Sequence, residues 1–196
     1  MSNQIFPPIT PGIRVCLTGK SSVEIANYFA LEPVPLEEAD VALFIVSAVE
    51  GIDSPSQELW QSARELYIPS LVLITEITNG EIDFDDMSAI AGRLLDPLLT
   101  PYLVLHDDSG FPMALIDLVT LGLSEYLDGK RLERDSDPEH KLLVFEFRKE
   151  HLEKIEEFGE NSFIQGLSFP AIPFIPENNL GSYEIATYLN RLPGRG

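Results

Sequence analysis

Short apolar runs alternate along the chain with stretches whose apolar residues recur every three or four positions. Ile13-Arg14-Val15-Cys16-Leu17 reads as a strand running into Thr18-Gly19-Lys20-Ser21-Ser22, where the glycine breaks the strand and a serine caps a helix to about Phe29. Val41 to Val46 is continuously apolar, as a central parallel strand covered on both faces must be. Ser54-Pro55-Ser56-Gln57 is a helix-start signature, with Ser54 as cap, proline in the first helical position and Gln57 three residues on. That helix is predicted to run to about Tyr67, burying Leu59, Ala63 and Leu66 flanked by Trp60 and Tyr67. Ser70 to Ile74 is a second buried strand, and Phe84, Met87, Ala91 and Leu94 space a helix that starts within the acidic Asp83 to Asp86 segment. Alternation with short connections predicts an α/β domain with a mostly parallel sheet, flanking helices and right-handed crossovers.

The pattern changes after residue 100. Tyr102 to Leu105, the turn-rich His106 to Gly110, then Met113 to Val119 and Gly122 to Leu127 predict short antiparallel strands. Lys130 to Asp137 reads as a charged surface connection, and Pro138 to Phe158 as helix with a polar face of Glu and Lys. Residues of about 101–160 are therefore expected to form an inserted antiparallel subdomain within a single unit, 1–196. Ala171 to Ile175 resumes the strands, its proline favouring an edge. Ser182 to Leu192 forms the last helix, with Ile185, Tyr188, Leu189 and Leu192 on one face and Pro193-Gly194 as its stop.

Charge narrows the partners. Against 13 Lys and Arg stand 32 Asp and Glu in 196 residues, a net charge of −19, so DNA and anionic membranes are excluded as default partners. The surplus keeps a domain soluble, and it also suits a basic partner. The single cysteine, Cys16, excludes an internal disulfide, and with three histidines no Cys/His zinc site is expected. Cys16 lies mid-strand and is expected to be a buried, inert thiol. No apolar run approaches a membrane span, and Met1 to Thr10 lack a secretion signal, which predicts a cytoplasmic protein. Glu81, Asp83, Asp85 and Asp86 read as a helix start rather than a cation site, Asp107-Asp108 as a surface turn, and His151 as part of a solvated helix face. No metal and no cofactor are expected.

Ala39 to Ile52, with its strand ending in Ala48-Val49-Glu50-Gly51, followed by Gln57 to Glu65 and Ile68-Pro69, resembles the GTP-binding domain of the translation elongation factor G family. Pro101 to Gly129, especially Gly110-Phe111 and Leu115 to Val119, resembles that family's inserted subdomain. Phe169 to Phe174, Gly181 and Leu192-Pro193 resemble the domain's final strand, helix and exit. The resemblance implies a P-loop NTPase-like fold in degenerate form.

The nucleotide machinery of that family is missing. A phosphate loop, G-x-x-x-x-G-K-[ST], uses successive backbone N–H groups to wrap a phosphate. Gly19-Lys20-Ser21 supplies its end, but Arg14 stands where the first glycine belongs, and the loop is too short by about three residues. Gly19, Lys20 and Ser21 are thus the vestigial nucleotide-site candidates. About twenty residues separate Lys20 from Val41, which leaves no room for the family's switch regions. Thr75-Glu76-Ile77-Thr78 stands where the guanine-reading motif belongs, and Pro176-Glu177 replaces a backbone contact to the base, proline removing a donor. No group remains to sense the γ-phosphate, hold Mg²⁺ or orient water. The sequence therefore predicts a non-catalytic pseudo-GTPase module, and the resemblance implies docking to a protein such as a ribosomal component or a full-length translation factor. Two other readings stand beside it: a weak nucleotide binder using Lys20 and Ser21, and a homo-oligomeric structural subunit pairing through surface exposed by the deletion.

Overall fold

A computed structural model describes residues 5–79 and 81–193. Gly194 of the final helix stop and residues 1–4 of the N-terminal segment lie outside the described residues. The first half alternates β1 (Val15–Gly19), α1 (Ser22–Tyr28), β2 (Val41–Ser47), α2 (Ser54–Glu65), β3 (Ser70–Thr75) and α3 (Phe84–Leu94). Then come β4 (Tyr102–His106), β5 (Pro112–Asp117), β6 (Gly122–Leu127) and β7 (Lys130–Asp135), helices α4 (Pro138–Leu143) and α5 (Phe145–Phe158), and finally β8 (Ala171–Pro173) and α6 (Ser182–Leu189).

Among the described residues the strands form two four-stranded sheets. One is parallel, in the order β1-β2-β3-β8, and the other antiparallel, β4-β5-β6-β7. Every residue of β2 and β3 is buried, because side chains alternate across a sheet covered on both faces. Ala42, Phe44 and Val46 of β2 meet Trp60 of α2 and Met87 of α3, whereas Val41, Leu43 and Ile45 meet Ile25 of α1 and Ile185 of α6. Trp60 anchors its side with edge contacts to Phe44 and Phe169 at 4.8 and 5.1 Å between ring centres, while its indole N–H donates to Asp96 at 2.8 Å. The antiparallel sheet packs Ala114, Ile116 and Leu123 against Val144 at the α4–α5 junction.

Several expectations are corrected. Asp53, not Ser54, caps α2: its carboxylate accepts from the Ser56 N–H at 2.7 Å, moving the cap one residue earlier. The buried stripe of α2 is Ser56, Trp60 and Ala63. Leu66 and Tyr67 are exposed because the helix ends at Glu65 and the chain leaves through a left-handed Tyr67, φ 53°. Leu94 of α3 is exposed as well. Lys130 to Asp135 is a strand, not a connection. Asp128 and Gly129 both take positive φ, 49° and 69°, forming the two-residue turn that folds β7 back on β6, and backbone pairing needs no apolar alternation. Ser21 occupies the position before α1 but is left-handed, φ 60°, and its side chain makes no capping bond. His151 is buried at 5 % exposure, and burial lowers its pKa, so it does not belong to a solvated face.

Candidate functional site

Ligands of parallel α/β sheets bind beyond the carboxyl ends of the strands. Here those ends carry Gly19 and Lys20 after β1, Ser47 to Glu50 after β2, and Glu76 after β3. Parallel pairing brings them together: Gly19 lies beside Ile45, and Ser47 beside Thr75.

Gly19 is fixed by its neighbour. Its φ is 103°, and a Cβ there would sit 2.1 Å from the carbonyl oxygen of Ile45. Strand β1 runs through Gly19 and α1 begins at Ser22, so only Lys20 and Ser21 connect them, a connection too short to wrap a ligand with successive backbone N–H groups.

The Lys20 ammonium is clamped by the chain's own carboxylates. It donates to Glu50 Oε1 at 2.6 Å and to Glu76 Oε1 at 3.0 Å. The second Glu76 oxygen accepts from the Ser47 hydroxyl, and Ser47 Oγ in turn accepts the Val49 and Glu50 N–H groups at 3.1 and 2.9 Å. Hydrogen bonds donated to both glutamates, Glu50 foremost, raise the Lys20 pKa, and the Ser47 hydroxyl, assisted by Lys20, lowers that of Glu76. Between α1 and the ends of β3 and β8 lies a cavity of about 540 Å³ lined by Ser21, Tyr28, Thr75 and Phe174 and by the acids Glu24, Glu76 and Glu177. Its charge repels phosphates.

The pH dependence follows. Glu76, with a depressed folded pKa, contributes stability present above the unfolded value of about 4.3 and lost as pH falls through its folded pKa. Lys20, with a raised pKa, contributes stability present below the unfolded value and lost as pH rises through the folded one. The melting-temperature difference between the wild type and Glu76→Gln is therefore expected to be greatest near neutral pH and to shrink in acid. A difference independent of pH between 3 and 7, taken as about the carboxylate titration range, contradicts the clamp.

The sequence candidates Gly19, Lys20 and Ser21 are thus adjacent but not convergent: Ser21 is exposed and makes no side-chain capping bond, while Lys20 faces acids. Sequence reasoning misses Ser47, Glu50 and Glu76 as the groups around Lys20. The available signal was opposite charge at the ends of successive parallel strands. Elsewhere, Cys16 is buried and burial raises its thiol pKa. Asp83 caps α3 by accepting the Asp86 N–H at 2.8 Å, and Asp107 organises its turn by accepting from Ser109 and Phe111 N–H. No cluster of three His, Cys, Asp or Glu suited to a metal ion occurs among the described residues, and none of the helices there is long and apolar enough to cross a membrane.

No protein-family model matches the chain. Two curated proteins of Mycobacterium tuberculosis, from strains CDC 1551 / Oshkosh and ATCC 25618 / H37Rv, each called elongation factor G-like protein, are 29% identical to it over 181 residues, covering 80% of this chain and 24% of theirs. The tetracycline resistance protein TetM of Streptomyces lividans is 32% identical over 81 residues, 41% of this chain and 12% of that protein. A crystal structure from Thermus thermophilus superposes with a TM-score of 0.70 at 27% identity, covering 81% of this chain and 27% of the other. The chain is therefore similar in sequence to elongation-factor-G-like proteins, and it spans about a quarter of the length of those curated relatives.

Proposed function

We propose that this chain is a non-catalytic, nucleotide-silent counterpart of a translation-factor GTP-binding domain, working in the cytoplasm by docking a protein partner. The observation that carries the reading is the Lys20 clamp: the ammonium available to a phosphate is held by Glu50 and Glu76. The two-residue connection between β1 and α1, too short to wrap a phosphate, and the acidic lining of the cavity beside it support the same reading. Similarity to elongation factor G-like proteins supports a partner from the translation machinery, either a ribosomal component or a translation factor. The net charge of −19 favours a basic surface over a second copy of this chain.

Titration calorimetry of the nucleotide-stripped protein with GTP, GDP and ATP, with and without Mg²⁺, tests this reading. Millimolar binding corresponds to about −4 kcal/mol and is detectable at high concentration. No saturable heat is expected. Saturable heat abolished by Lys20→Ala overturns the proposal in favour of a residual nucleotide binder.

A further inference from the structure

We propose that the Glu76 side chain is a built-in substitute for an oxyanion ligand, seated between the Lys20 ammonium and the Ser47 hydroxyl, so that removing it opens a site for a small carboxylate. The inference rests on the reading of the site as nucleotide-silent and deepens it, because it says what takes a ligand's place.

Three features carry it. First, both carboxylate oxygens are engaged by different donors, Oε1 by Lys20 at 3.0 Å and Oε2 by Ser47, as a bound anion between a cation and a hydroxyl would be. Second, the hydroxyl is preorganised. Ser47 is fully buried, its Oγ already accepts two backbone N–H groups, and its one proton is thereby directed at Glu76. That donor does not depend on Glu76 for its orientation, since the turn Ser47 to Gly51 is closed by its own bond, Gly51 N–H to Ser47 C=O at 2.8 Å. Third, Glu76 adopts φ 59°, a left-handed backbone unfavourable for a side chain of its size, and this conformation brings the carboxylate onto the two donors. The three donors and acceptors follow β1, end β2 and follow β3, so one internal carboxylate ties three strand ends together without any ligand. Glu50 remains on Lys20 when Glu76 is removed, which limits the opened site to a small anion.

Chemical rescue tests the assignment. Glycine accepts φ 59° freely, so Glu76→Gly removes the side chain while relieving the backbone. This variant is expected to melt below the wild type and to recover in acetate, with a folding constant raised about tenfold at ten times the dissociation constant. Chloride at equal ionic strength is expected not to restore it, and neither the wild type, Glu76→Gln, which fills the space, nor Lys20→Met/Glu76→Gly is expected to respond to acetate. Where Glu76→Gly does not fold in low salt, refolding yield in acetate against chloride is the readout. Absence of an acetate-specific recovery, or an equal response from the wild type, overturns the inference. Wild type that binds nucleotide overturns the proposed function instead, whereas silent wild type with failed rescue overturns this inference alone.

Discussion

Gly19→Ala is expected to destabilise the fold by about 3 kcal/mol or more, a large fraction of the roughly 5–15 kcal/mol that holds an ordinary domain together. Two terms add. The backbone at φ 103° is one that L side chains rarely adopt, and the new methyl would lie 2.1 Å from the Ile45 carbonyl oxygen, an atom of the central strand that cannot swing aside. Relief requires β1 to separate from β2 where the two are paired, Gly19 against Ile45. Gly51→Ala is the matched control, because Gly51 also has a positive φ, 78°, but a Cβ there meets nothing within 4 Å. Only the backbone term, about 1–2 kcal/mol, applies to it. Urea denaturation of both variants decides the matter, and equal losses defeat the close-approach argument. A large difference gives this glycine a structural reason to be present, so the tripeptide Gly19-Lys20-Ser21 need not signify phosphate binding.

The parallel half of the fold was legible because its signals are local. Continuous burial of Val41 to Val46 and Ser70 to Ile74 writes itself into composition, and Phe84, Met87 and Ala91 repeat at the helical period. Strand β7 was not legible from its side chains: Lys130 to Asp135 is mostly exposed and charged, and what makes it a strand is the Asp128-Gly129 turn and backbone pairing with β6. His151 was misplaced for a related reason: it is buried and lines a cavity with Leu99, Pro101 and Asp117, residues distant in sequence that the pattern of α5 does not reveal. The site follows the same division. Lys20 stood out as a residue type in a motif, but its partners lie 30 and 56 positions away, and only the register of the parallel strands unites them.

The second large effect is expected at the junction of the two sheets. Glu184 of α6 is 3 % exposed and receives the Tyr126 hydroxyl from β6 and the Arg131 guanidinium from β7, the latter at 3.4 Å. Arg131 is itself fixed by Ser124 and Glu133, each at 2.8 Å, and lies over the Tyr183 ring at 3.6 Å. Burial raises the Glu184 pKa, while Tyr126 and Arg131 oppose that rise. Arg131→Met keeps much of the side-chain volume but leaves a buried carboxylate with the tyrosine alone, a change expected to cost about 3 kcal/mol near neutral pH. Without the guanidinium the folded pKa climbs further, so the folded state holds a proton that the unfolded state has released. A raised carboxyl pKa contributes stability below the unfolded value of about 4.3 that is lost as pH rises towards the folded value, and Arg131→Met should therefore recover towards wild type in mild acid. Arg131→Met/Glu184→Met removes the charge from both partners and is expected to be more stable at neutral pH than Arg131→Met alone, its loss falling short of the sum of the two single losses by about 1–3 kcal/mol. Denaturation midpoints of the wild type, Arg131→Met, Glu184→Met and the double variant across pH measure both effects. Losses that simply add, with no pH dependence, mean that the two sheets are joined by their apolar contacts and that this ion pair contributes only packing. Strong coupling means instead that α6 and the β6–β7 hairpin are registered through a single buried charge.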